Sequence, residues 1–152
     1  MTKEIWFDMD GTIADLYSVE NWLPKLRAYD ETPYMEAAPL LRLCVLARTL
    51  NRLQREGFRI GIVSWLSKNP NPTYDAKVTA AKYYWLKKHL PSVKWDAVNI
   101  LPHGTPKSEV MNNYDDCKAF LFDDENKNRV EWENNGGIAY DVNNILGVLK
   151  AL

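Results

Sequence analysis

Asp8 and Asp10, separated only by Met9 and followed by Gly11 and Thr12, close the apolar run Ile5-Trp6-Phe7. A short run without polar alternation suits a strand buried on both faces, and Gly11 gives the backbone freedom to turn sharply after it. Both carboxylates then sit at the strand's carboxyl end, the edge of an open α/β sheet where loops converge on a ligand. Two close carboxylates repel each other, and a divalent cation relieves the repulsion. A hard ion such as Mg²⁺ prefers oxygen ligands, keeps some of its waters, and needs only one or two protein carboxylates beside a phosphate. The chemistry this spacing can perform is therefore metal-assisted phosphoryl transfer. Turn-forming acids that cap a helix have the same spacing, so other parts of the chain must decide.

The elements that would position further groups follow in order. Leu40, Leu43, Ala47 and Leu50 recur at helical spacing behind Pro39, with Gly57 as a stop, which predicts a helix from about Pro39 to Glu56. Residues 58–64 form a second strand ending in Ser64, and Asn69-Pro70-Asn71-Pro72 has loop chemistry. A helix from about Tyr74 to Leu90 buries Val78, Ala81 and Trp85 and turns Lys77, Lys82, Lys87 and Lys88 to solvent. Residues 97–101 give a third strand whose following loop delivers Lys107. Residues 119–122 give a fourth that stops at Asp123-Asp124. A helix over 125–133, a break at Gly136-Gly137, a short strand at 138–140 and a closing helix capped by Asn143 and running to Leu149 complete the pattern.

Strands alternate with helices throughout. The alternation predicts an α/β fold, a Rossmann-like parallel sheet of about five strands with helices on both faces and right-handed crossovers. The 152 residues, 46% of them hydrophobic, suit one domain. The mixed stretch 16–38, which contains Tyr17, Trp22, Tyr29 and Tyr34, is expected to be a small helical cap insertion above the site.

Composition narrows the partners. A formal net charge of −1 and the absence of a basic block argue against a stable complex with nucleic acid, while nucleotide-sized ligands remain open. No apolar stretch is long enough to span a bilayer, and residues 1–4 lead directly into a strand, so the expectation is a soluble cytoplasmic protein. Cys44 and Cys117 lie beside apolar residues, far apart in sequence, which predicts buried free thiols.

Each later group has an ordinary reading of its own: Ser64 as a strand-end cap, Lys107 as a solvated helix-start residue, Asp123 and Asp124 as helix-start acids. Taken in order, however, Asp8-Met9-Asp10-Gly11-Thr12, Ser64, Lys107 and Asp123-Asp124 resemble the four motifs of the haloacid dehalogenase superfamily over nearly the whole chain. The resemblance implies a phosphatase with Asp8 as nucleophile and Asp10 as general acid and base. It implies Mg²⁺ held by the Asp8 carboxylate, the Asp10 backbone carbonyl and Asp124, with Asp123 as an indirect or water-mediated ligand. Ser64 would donate to a phosphoryl oxygen and Lys107 would offset its charge. One departure is Asn128, where many relatives carry an Asp four residues beyond the metal-binding acid.

Within the superfamily, residues 7–16 and 84–90 are most similar to deoxyribonucleotidase-like phosphatases. That implies a nucleoside monophosphate as the small phosphorylated substrate, with Tyr17, Trp22 or above all Trp65 as a base-stacking surface. Any one of the six tryptophans could equally belong to the core. An insertion this short predicts an open site, which a homodimer could help to wall. An open site also suits a polynucleotide 3′-phosphatase or a phosphoprotein phosphatase. The alternative of another class, a non-catalytic phospho-ligand binder, would have no use for a nucleophile beside its anion.

Overall fold

The computed structural model describes residues 2–112 and 116–152. Its elements run β1 (Thr2–Phe7), β2 (Ala14–Asp15), α1 (Trp22–Arg27), α2 (Thr32–Glu36), β3 (Ala38–Pro39), α3 (Leu43–Arg55), β4 (Phe58–Trp65), α4 (Pro72–His89), β5 (Ala97–Leu101), β6 (Cys117–Phe122), α5 (Asn126–Asn134), β7 (Ile138–Tyr140) and α6 (Ile145–Lys150). Five strands form one parallel sheet in the order β5-β4-β1-β6-β7, which places β1 at its centre. Helices lie on both faces, as the strand and helix alternation predicts.

The absence of polar alternation in β1 has its cause in this position. Ile5 and Phe7 pack on one face with Leu46, Leu50 and Leu53 of α3 and with Ile145 and Leu149 of α6. Trp6 packs on the other face with Val63, Leu121 and Trp132 of α5. Phe7 also stacks on Phe122 of the neighbouring strand, ring centroids 5.2 Å apart, which aligns the carboxyl ends of β1 and β6. Residue 1, the first of the four expected to lead into β1, lies outside the described residues, and Thr2 to Glu4 are already in the strand.

Several expected boundaries move. The helix predicted from Pro39 begins at Leu43, because Pro39 pairs with Ala14 and the Leu40 N–H donates to the Ile13 carbonyl at 2.9 Å. Leu40 is accordingly exposed, and Leu46, Leu50 and Leu53 carry the buried stripe. Helix α4 starts earlier than expected, with Pro72 in its first turn and Asn71 Oδ1 accepting from the Tyr74 N–H at 3.1 Å. The closing helix starts at Ile145, and Asp141 rather than Asn143 caps the short 3₁₀ turn before it. Both cysteines are free, but Cys44 is exposed on the outer side of α3 and Cys117 is only half-buried, so the expectation of buried thiols fails for Cys44 and is met only in part by Cys117. Among the described residues, no helix is long and apolar enough to cross a membrane.

Residues 16–38 form a 3₁₀ turn, α1 and α2, framed at their base by the antiparallel pairing of β2 with β3. Leu16 and Tyr34 pack on Tyr74, Val78 and Ala81 of α4. Two buried donors on α4 also hold this segment: Tyr74 Oη donates to the Asp30 carbonyl at 2.9 Å and Trp85 Nε1 to the Ala37 carbonyl at 2.7 Å.

Candidate active site

The chain leaves β1 in a tight turn in which the Met9 carbonyl accepts from the N–H groups of Thr12, Ile13 and Ala14 at 3.1, 3.0 and 3.0 Å. Gly11 adopts φ +80°, a backbone conformation that favours glycine. This turn sets Asp8 and Asp10 at the sheet's carboxyl edge, beside Asp123 and Asp124 at the end of β6. One oxygen each from Asp8, Asp123 and Asp124 lies within 4.8 Å of the others, a spacing that three ligands of one cation can share.

Lys107 enters from the loop after β5, in a 3₁₀ turn that starts behind Pro106. Its Nζ donates to Asp8 Oδ1 at 2.9 Å and to Asp123 Oδ2 at 2.7 Å, with the side chain only 2% exposed. Burial alone would lower its pKa, but the two carboxylates outweigh it and raise the value, so the ammonium stays charged. Thr12 Oγ1 lies 3.2 Å from Asp8 Oδ2 and 3.4 Å from Asp124 Oδ1, close enough for its one hydrogen to serve either. Asn128 Nδ2 donates to Asp123 Oδ2 at 3.3 Å and the Glu125 N–H to its Oδ1 at 2.9 Å, so this carboxylate is held without a further acid.

The carboxylates are crowded enough to alter their chemistry. Burial, and next the charge of Asp8, push Asp123 up to about 6 and Asp124 up to about 7. Burial also raises Asp10, against the opposing pull of Lys82. Acids driven toward the neutral form first by burial and then by a neighbouring carboxylate are the electrostatic mark of a site that favours a cation. The donor set, oxygen throughout, fits Mg²⁺.

A cavity of about 600 Å³ opens above these groups. Asp8, Asp10, Lys107 and Asp124 lie among its lining, and Tyr17, Trp22 and Tyr29 reach it from residues 16–38. Tyr17 is half exposed and meets Trp22 edge to face, with ring centroids 5.0 Å apart. Trp65, the last residue of β4, also lines the cavity but is engaged on several sides. Its Nε1 donates to the Thr105 carbonyl at 2.9 Å, its ring lies 4.8 Å from that of His103, and Lys107 Nζ sits 5.1 Å from its centroid.

Ser64 reaches the site but is fully buried and does not line the cavity; its Oγ accepts from Lys82 Nζ at 2.7 Å. Lys82 itself is the principal correction to the sequence reading, which turned it to solvent. It is 1% exposed and also bonds Asp10 Oδ2 at 2.9 Å. The spacing held the signal: positions 78, 81, 82 and 85 make one helical face, and Lys82 interrupts an otherwise apolar stripe.

No family model and no curated protein matches the sequence. Among solved structures, the fold matches that of the D,D-heptose 1,7-bisphosphate phosphatase from Burkholderia thailandensis. The TM-score is 0.54 at 13% identity, over 90% of this chain and 75% of that one. At that identity the likeness establishes the α/β fold.

Proposed function

We propose that this chain is a Mg²⁺-dependent phosphomonoesterase of the haloacid dehalogenase type, acting through an aspartyl-phosphate. In this reading it is a single catalytic domain with residues 16–38 as its cap, and its substrate is a nucleoside monophosphate. The observation that carries the proposal is the convergence of Asp8, Asp123 and Asp124 within 4.8 Å, with Lys107 bridging the first two. A phosphatase on the same fold supports the reaction class.

Asp8, Asp124 and the Asp10 carbonyl would hold the ion, with Asp123 beside them. Bound Mg²⁺ supplies the positive charge that lets an anionic nucleophile and an anionic ester approach each other. A carboxylate oxygen of Asp8 attacks phosphorus while the bond to the leaving oxygen breaks, and Asp10 gives that oxygen its proton. Asp10 then takes a proton from water, which attacks phosphorus and frees phosphate and the Asp8 carboxylate. Lys107 offsets charge on the phosphoryl group, while Ser64, fully buried and outside the cavity lining, is not placed to donate to a phosphoryl oxygen there.

The cavity volume falls in the range of small-molecule sites and favours a compact substrate over a polymer or a phosphoprotein. Its aromatic lining, with Tyr17 exposed and Trp65 beside Lys107, favours a leaving alcohol that carries a base, as a nucleoside does. A phosphate-release screen over nucleoside 5′- and 3′-monophosphates, sugar phosphates and 3′-phosphorylated oligonucleotides, with and without Mg²⁺, tests the proposal. Turnover confined to one nucleotide class and dependent on Mg²⁺ is expected. Affinity without turnover would make the chain a binding module.

A further inference from the structure

Lys82 has no role in the scheme above, yet its ammonium group is buried and fully engaged. Its ammonium group carries three hydrogens and has three acceptors: Asp10 Oδ2 at 2.9 Å, Ser64 Oγ at 2.7 Å and the Trp65 carbonyl at 2.7 Å. The ring of Tyr34 lies 5.0 Å from Nζ. These acceptors come from two separate segments, the turn after β1 and the end of β4, and the lysine from a third, α4. The side chain does not line the cavity, so it does not touch a substrate there. A buried ammonium is costly to desolvate, and an apolar residue of similar volume would often pack α4 at least as well.

We propose that Lys82 is a positioning residue that fixes the Asp10 carboxyl group and the Ser64 hydroxyl relative to each other. The inference rests on the phosphatase reading and deepens it. With Oδ2 tied to Nζ, the plane of the Asp10 carboxyl is set and Oδ1 is left to exchange a proton with a leaving oxygen or a water. With its oxygen accepting from Nζ, Ser64 must direct its hydrogen to a different acceptor. Lys82 thus acts through orientation: without it, the Asp10 carboxyl can rotate about its Cβ–Cγ bond and lose its alignment.

The test uses the whole chain, a generic aryl phosphate and Mg²⁺. Lys82→Met is expected to lower kcat at least about thirtyfold and to leave KM within about twofold, since the group lost is remote from the ester. In an Asp10→Asn background the same change should lower kcat less than about threefold, because the group it positions is already disabled. The double variant also removes both charges of the buried pair, so it keeps the comparison available if Lys82→Met alone fails to fold. A loss of about threefold or more in that background overturns the proposal, as does a KM effect larger than the kcat effect. A double variant that does not fold makes Lys82 a scaffold residue and overturns it too. Absence of Mg²⁺-dependent turnover in the unaltered protein is a separate failure, that of the phosphatase reading itself.

Discussion

Gly11 and Asp124 compete for one space: a Cβ on Gly11 would collide with Oδ2 of Asp124 and stand 2.9 Å from Cε2 of Tyr17. The missing side chain is what lets the second acidic segment close on the first. Gly11→Ala should therefore displace the Asp124 carboxylate as well as strain a backbone at φ +80°. Expected outcomes are a stability loss of about 1–3 kcal/mol and a weakened response to Mg²⁺. Chemical denaturation and Mg²⁺ titration of activity measure the two effects, and an unchanged Mg²⁺ midpoint would count against the shared site.

The two ends of the Asp8 and Lys107 pair should respond in opposite ways to removal. Asp8→Asn takes a charge out of a crowded carboxylate group, so the fold should keep its Tm or gain a little, while turnover drops at least about a thousandfold. Lys107→Met leaves Asp8 and Asp123 buried together without their cation, at a cost of about 3–5 kcal/mol. Thermal melting and kcat on both variants check the contrast. Undiminished turnover in Asp8→Asn would remove the nucleophile.

Stability should fall as pH rises in the metal-free protein, then recover with Mg²⁺. Asp123 and Asp124 are raised to about 6 and about 7, so between the ordinary carboxyl value and those values the folded chain binds more protons than the unfolded one. Stability is then greatest below that window and declines through it as the carboxylates ionise in a buried setting beside Asp8. A cation bound at the same oxygens replaces the protons, so its stabilisation grows over the same window. Melting curves at about pH 5 and about pH 7.5, with and without Mg²⁺, should show the larger Tm gain at the higher pH. An equal gain at both would place the ion elsewhere.

Aromatic side chains at the cavity should separate into two kinds. Tyr17→Ala removes an exposed ring at the mouth and should raise KM for nucleoside monophosphates by about tenfold, with little change in kcat. Trp65→Ala also releases the Thr105 carbonyl and the ring beside Lys107, so kcat should fall along with the rise in KM. Comparison with a phenyl phosphate completes the test, for equal KM effects on both esters would remove the argument for a nucleotide.

The parallel sheet was legible because the carboxyl halves of β1, β4 and β6 are apolar on both faces and run into Asp8, Ser64 and Asp123. Asp8, Lys107, Asp123 and Asp124 could be grouped from their order alone, since a parallel sheet brings the carboxyl ends of its strands to one edge. Lys82 was misread because a lysine is ordinarily solvated, and only the tertiary placement of Asp10 and Ser64 supplies the acceptors that make its burial tolerable. Trp65 was easily found but its engagement was not, because the Thr105 carbonyl and the His103 ring approach it from a loop forty residues away in sequence. The start of α3 shifted for a similar reason, as helical spacing at Leu40 could not reveal that its N–H is taken by Ile13.

Helix α1 has no buried residue, although Trp22, Leu23 and Leu26 face the cavity. Leu23 is exposed and can be exchanged without opening a hole in the hydrophobic interior, whereas Trp22 and Leu26 also pack against the cluster of Leu16, Tyr34, Tyr74, Val78 and Ala81, and the acids and lysines beneath are locked by mutual contacts. Preference for one ester over another can drift at this position as the reacting centre stays constant, which makes Leu23 the natural place to randomise in a search for altered selectivity.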